Sequence, residues 1–154
     1  MLDQNKWNQY GFLREENDIL GITLHESNKY NMTAEELETW LNEVNKTSDG
    51  CHYICDDTQS LQVMPDNWAV YHTGKALDWG NCYTIAIVIM PSLSDEKYQR
   101  AQDNAVALIK NLQNTYSISD EMIFFHNSFD PRAYCPKTIL DRYTSVKRFV
   151  MEEL

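Results

Sequence analysis

The chain is short of positive charge. Thirteen Lys and Arg stand against 23 Asp and Glu in 154 residues, a net charge of −10 and a pI near 4.7. The densest basic patch is the pair Lys147-Arg148, and acids follow it. That excludes nucleic-acid binding by phosphate neutralisation, and adsorption to an anionic membrane or wall polymer by charge alone. Long apolar runs are also missing. The longest, Ile85 to Met90, has six residues, far short of the roughly 20 that cross a bilayer, so no membrane insertion is expected. Five glycines exclude a collagen-like repeat, and 43% apolar residues exclude a chain too polar to collapse. Disulfide staples are not required, because a chain of this length buries roughly two thirds of its unfolded surface. The cysteines at 51, 55, 82 and 135 therefore read as reduced. The opening segment Met1 to Trp7 lacks the apolar stretch of a secretory leader, which reads as a protein made in the cytoplasm.

What is present is one domain with a short tail. Residues 1–18 are mixed and aromatic, interrupted by Gly11, and read as a tethered N-terminal arm; residues 19–150 form the domain. Ile19 to His25 reads as a short buried strand. Thr33 and Glu36 form a capping box, and Leu37, Trp40, Leu41 and Val44 mark one face of the helix it opens. His52 to Cys55 and Leu61 to Met64 read as a hairpin pair, with Cys51, Tyr53 and Cys55 on one face. Residues 65–81 read as a long irregular connection of functional size. Tyr83 to Met90 is apolar nearly throughout, as a central strand should be. Ser94 opens the longest helix, whose buried stripe is Tyr98, Ala101, Ala105, Leu108, Ile109 and Leu112. Met122 to His126 is a further strand, and Pro136 starts a last helix with Ile139, Leu140, Tyr143, Val146 and Val150 on its face. The order β-α-β-β-β-α-β-α predicts a mixed α/β fold, a single domain with a central mixed sheet flanked by helices.

The histidines matter by position. His25 ends the first strand, His126 ends the last, and Cys135 follows in the loop before a helix. Groups at one sheet edge can converge on one ion, and two imidazoles with a thiolate suit Zn²⁺ with a fourth position open to water. Read by themselves, the same residues also fit hydrogen-bonded strand-end histidines and a small core cysteine. Both readings stand at this point.

A resemblance separates them. Ile22-Thr-Leu-His25-Glu-Ser-Asn28, the helix with Trp40-Leu41, Cys51-His-Tyr-Ile-Cys-Asp-Asp57, Trp68-Ala-Val-Tyr-His72-Thr-Gly74, Asn81 with Thr84-Ile-Ala-Ile87, and His126 with Cys135-Pro136 stand in one order. Over residues 19–145 that order resembles the zinc-dependent N-acetylmuramoyl-L-alanine amidases of type 2, a family that includes a phage lysozyme and the peptidoglycan recognition proteins. The resemblance implies the family's fold, bacterial peptidoglycan as partner, and Zn²⁺ as cofactor held by His25, His126 and Cys135. It implies hydrolysis of the amide between N-acetylmuramic acid and L-alanine, and a place for His72 in the substrate groove. Trp68, Tyr71 and Trp79 are expected as sugar or peptide platforms.

Three family features are replaced. Cys51 stands where members often carry Tyr, Val88 where others carry Glu, and Ala133 where many carry Lys, with the His126–Cys135 spacing one residue longer. Arg132 is the expected substitute for the missing cation, and Glu26, beside a ligand, the expected general base if the strand ends at His25. Two other readings follow from the replacements: a non-catalytic peptidoglycan-binding domain of the same fold, or a different zinc peptidase of the cell wall. The resemblance also implies an endolysin-like protein that acts at the wall after release, with any wall-binding domain outside this chain.

Overall fold

The computed structural model describes residues 1–75 and 77–154; Ala76, within the expected 65–81 connection, lies outside the described residues. The elements run α1 (Trp7–Tyr10), β1 (Gly11–Leu13), β2 (Gly21–Glu26), α2 (Ala34–Glu43), β3 (Tyr53–Cys55), β4 (Ser60–Gln62), β5 (Trp68–Val70), α3 (Trp79–Tyr83), β6 (Thr84–Ile89), α4 (Asp95–Tyr116), β7 (Ile123–Phe125), α5 (Lys137–Tyr143) and α6 (Val146–Glu153). The main sheet has the order β4-β3-β6-β2-β7. Its last four strands pair in parallel, and β4 closes one edge antiparallel to β3. This is the expected mixed sheet between helices, with the expected central strand at its middle.

The two faces of β6 show why the sheet is covered on both sides. Ile85, Ile87 and Ile89 enter one core with Ile22 and Leu24 of β2 and the buried faces of α4 and α5. Ala86 and Met90 enter a second core with Leu37 and Leu41 of α2, and Val88 packs against it. The side-chain period of two delivers one set of residues to each core. It also leaves Thr23 and His25 of β2, in register with Ala86 and Val88, on the face opposite Ile22 and Leu24.

Local signals explain the helix starts. Thr33 Oγ1 accepts from the Glu36 amide at 3.2 Å while the Thr33 amide donates to Glu36 Oε2 at 2.8 Å, the reciprocal pairing of a capping box. Asp56, in the turn after β3, accepts the Ala34 amide at 2.7 Å and also bonds the Thr58 amide and hydroxyl and the Gln59 amide. Burial alone would raise its pKa, but these four donors hold the carboxyl below its usual value.

Several sequence expectations change here. The N-terminal segment, expected as a tethered arm, is anchored in the second core, where Leu2 and Tyr10 are buried and the Tyr10 hydroxyl donates to Leu41 O at 2.6 Å. Gly11 ends α1 as expected, but for packing: a Cβ there would stand 1.8 Å from Ala69 O, across the two-stranded sheet formed by β1 and β5. The 65–81 connection therefore contains a strand and the start of a helix. Cys51 precedes β3 and enters the second core, whereas Cys55 enters the first, so the two do not share a face. Val44 lies beyond α2 and is 55% exposed. The last helix is two: Thr144 turns left-handed at φ 61°, Ser145 caps a new start, and Phe149 fills the core. No helix among the described residues is long and apolar enough to cross a membrane.

Candidate functional site

At the C-terminal end of β2 the backbone hands over two side chains in opposite directions. His25 turns into a cleft of about 610 Å³ bordered by α2, the Asp49–Cys51 loop, His72, Gly74, Val88, His126 and Cys135. Clefts of this size take small-molecule or peptide groups. His126 starts the turn that ends β7, and Cys135 lies just before α5. One donor atom from each of His25, His126 and Cys135 falls within 4.8 Å of the others. His25 Nδ1 is 4.0 Å from Cys135 Sγ, close to the ~3.5 Å separation that tetrahedral Zn–N and Zn–S bonds imply. The donor set thus fits Zn²⁺ in chemistry. Burial pushes the Cys135 thiol up to about 11, partly countered by the Glu26 amide that donates to Sγ at 3.3 Å. That amide favours the thiolate a cation would draw out.

His25 is held from behind. Its Nε2 lies 2.9 Å from His72 Nδ1, and His72 Nε2 lies 3.3 Å from Thr84 Oγ1. Thr84 Oγ1 is 2.7 Å from Gly80 O and 2.8 Å from Thr23 Oγ1. One proton arrangement satisfies every atom: His25 donates to His72, His72 and Thr23 donate to Thr84, and Thr84 donates to Gly80 O. It leaves His25 Nδ1 as the free lone pair facing Cys135. Burial, then the neighbouring His72 and His126, drive the His25 pKa well below its ordinary value, and burial does the same for His72. Neutral rings are what metal ligation requires.

The loop that carries His72 is fixed by Asn81, whose Oδ1 accepts the His72 and Thr73 amides at 2.7 and 3.0 Å while Nδ2 donates to Lys75 O. Gly74 then turns at φ +87° with open space where a side chain would stand. His72 is therefore brought to the site, but with both ring nitrogens engaged. It acts on His25 and positions it.

Of the other two expected catalytic residues, Glu26 borders the cleft and reaches Cys135 with its amide but not with its carboxylate, and Arg132 is not brought to the donors. Glu26 points the other way along β2, as strand alternation demands. Its carboxylate accepts the Thr138 amide at 2.8 Å, the Thr138 hydroxyl at 2.9 Å and the Tyr98 hydroxyl at 3.1 Å. It anchors the first turn of α5 and so the segment bearing Cys135. Arg132 is 88% exposed and paired with Asp130 two residues away, so the longer loop carries it outward. Trp68 packs edge-on against Trp7, Tyr71 against Phe12, and Trp79 among Tyr83, Phe124 and Phe129. None of these three lines the cleft; its aromatic wall is Trp40.

Sequence reading missed Asp49. It lines the cleft on the exposed loop after α2, and its carboxylate makes no hydrogen bond with the described residues. Burial holds the His126 pKa down, and the charges of Asp130, Asp49 and Asp78 oppose it. Val88, in register with His25, presents a hydrocarbon to the same space. Asp49 falls in the polar stretch that follows α2, immediately before the Gly50-Cys51 wall, where no periodicity or motif marks it.

Comparison with known proteins follows the same lines. N-acetylmuramoyl-L-alanine amidase XlyA of Bacillus subtilis (strain 168) is 32% identical over 101 residues, covering 66% of this chain and 33% of that protein. The structure of the XlyA catalytic domain superposes with a TM-score of 0.79 at 27% identity, covering 92% of each chain. PlyL superposes with a TM-score of 0.86 at 23% identity over 98% of this chain and 92% of its own, a likeness of fold. The chain spans a third to about half the length of the curated relatives it matches. The profile described as N-acetylmuramoyl-L-alanine amidase matches residues 15–138, from buried Arg14's neighbour through β2, the His72 loop and both later donors, and on that match the chain belongs to this amidase family.

Proposed function

We propose that this protein hydrolyses the amide joining the lactyl group of N-acetylmuramic acid to L-alanine in bacterial peptidoglycan, with Zn²⁺ held by His25, His126 and Cys135. The observation that carries the reading is the convergence of those three donors on the cleft floor, with His72 fixing the tautomer of His25. Bound there, zinc would supply a Lewis acid that polarises the carbonyl and acidifies a water. The chain's own residues do the rest. Trp40, Leu37 and Leu41 give the cleft one apolar wall, and Gly50 and Gly74 let backbone approach the substrate. Asp49 is the carboxylate left free to take the proton from the attacking water. It returns that proton to the alanine nitrogen, because an amide anion is too poor a leaving group. The products are a glycan with a free lactyl carboxylate and a stem peptide with a new amino terminus.

Val88 favours a second reading, a peptidoglycan-binding domain without turnover. With a net charge of −10, attachment to the wall comes from contacts in the cleft or from a separate wall-binding module. The test is product analysis of purified Gram-positive peptidoglycan treated with zinc-loaded protein, with a chelated control and His25→Ala. New N-terminal alanine without new reducing sugar, lost on chelation and in the variant, is the expected result. Bound zinc with no new amino termini selects the binding domain. Cleavage that leaves L-alanine on the sugar selects a peptidase.

A further inference from the structure

We propose that Lys29, held over the Trp40 ring, is the group by which this cleft recognises a free carboxylate on the second residue of the stem peptide. The inference rests on peptidoglycan being the substrate. Lys29 lies four residues after His25, so its Cα is at most about 14 Å from that of His25. Both residues line the same cleft. The Lys29 ammonium sits 4.2 Å from the centroid of the Trp40 ring and forms no salt bridge with a carboxylate of the described residues. The cation–π contact pre-orders the long side chain without neutralising it.

The platform is itself fixed. Trp40 is on α2, whose start is locked by the capping box and by Asp56, and the Lys29 amide donates to Ser27 Oγ at 3.0 Å. Among the described lining residues Lys29 is the sole Lys or Arg, in a protein of net charge −10. Asp49 borders the same space and repels anions from its part of the cleft. Beside the proposed zinc, Lys29 is thus the cation that the described lining offers to an anionic group, which favours one orientation of the substrate.

The substrate's chemistry supplies the anion. The sugars carry hydroxyl and acetamido groups, and the lactyl carboxylate is consumed in the scissile amide. Fixed negative charge begins at the second stem residue, a γ-linked glutamate whose α-carboxyl is free, or is neutral when amidated. That carbon stands roughly 7 Å beyond the scissile bond in an extended chain, within reach of a lysine anchored near His25.

The probes are two N-acetylmuramoyl tripeptides that differ only in D-glutamate or D-isoglutamine at the second position. The wild-type protein is expected to favour the acid by on the order of tenfold, the worth of one charge-assisted hydrogen bond. The preference is carried in KM and shrinks with added salt. Lys29→Met removes the preference by raising KM for the acid, and Lys29→Arg restores it. A Lys29→Met protein with the wild-type preference, or a wild-type protein with none, overturns the proposal. If neither probe is cleaved, the amidase reading fails separately. Calorimetric titration of the same probes then decides: tighter binding of the acid, lost in Lys29→Met, sustains the role of Lys29, and equal binding ends it.

Discussion

The two walls of the cleft are built differently. On the sheet side, His25, His72, Thr84, Thr23 and Asn81 form one buried hydrogen-bonded chain that leaves only His25 Nδ1, the lone pair facing Cys135, unengaged within it. On the other side, Lys29 rests on a ring and Asp49 lies exposed on a loop, neither held at its charged end by a polar partner among the described residues. A satisfied buried network rigidifies, so the sheet side can hold donors at fixed separation. The open side keeps its charges solvated and available for substrate. Under the proposed function the difference divides the tasks: the sheet would hold the ligands, and helix and loop would handle recognition and protons.

The sharpest way to break that division is Asp49→Asn. Removing a proton carrier costs roughly 10²- to 10⁴-fold in kcat, with zinc content and thermal stability unchanged, since Asp49 is exposed and supports no packing. Arg132→Ala, by contrast, should alter activity less than about twofold, because its head is solvated and bound to Asp130. Steady-state kinetics with parallel metal analysis checks both. An Asp49→Asn protein at full activity would return the proton-transfer role to another group.

The sheet and its central strand were legible in the sequence because each rests on short-range pattern, whereas the donor triad was separated from ordinary strand-end histidines only by the resemblance of several motifs in order. A nearly continuous apolar run marked β6, and His25 and His126 could be placed once the strands that they end were found. What failed depended on contacts across the fold. The burial of Tyr10 is decided by Leu41, and the pairing of Gly11 with Val70 by a segment 59 residues away. Glu26 looked free until Thr138 and Tyr98 were placed around it. Thr144 looked helical because the apolar spacing ran through it, while the left-handed break left no mark in that periodicity.

A smaller effect is expected from the sheet side. His72→Phe keeps a ring in the space and deletes the acceptor for His25, so the donor loses its fixed tautomer. Zinc affinity should fall about 10- to 100-fold, read by competition with a chromophoric chelator, and His72→Asn should recover part of it through its amide oxygen. Unchanged affinity in His72→Phe would mean that packing alone orients His25, and the two walls would differ less than the hydrogen bonds imply.

The smallest effect tests whether the rigidity of the sheet side has a pH limit. Just before β3, His52 Nδ1 accepts the Ala86 amide of β6 at 2.9 Å and its Nε2 donates to Trp68 O at 2.7 Å. The Arg14 guanidinium, 3.3 Å from Nε2, sits as a second donor against it. A proton on Nδ1 would break the bond to β6 and place two buried cations side by side. Burial first, and Arg14 next, hold the His52 pKa well below the ordinary value, against the bond to Trp68 O that raises it. A histidine depressed in the folded state binds fewer protons there than when unfolded. Its stabilising contribution is therefore complete above about pH 6.5, the unfolded value, and declines below it at up to about 1.4 kcal/mol per pH unit. His25 and His72 titrate in the same direction, so the total decline does not isolate His52. The difference between wild type and His52→Asn does: in urea unfolding of metal-free protein from pH 7.5 to 5.5, the variant's stability should fall less steeply by up to one proton's slope. Equal slopes would show that Arg14 and His52 already separate when acid reaches them, and the tight wall would then rest on a looser layer than its bonds suggest.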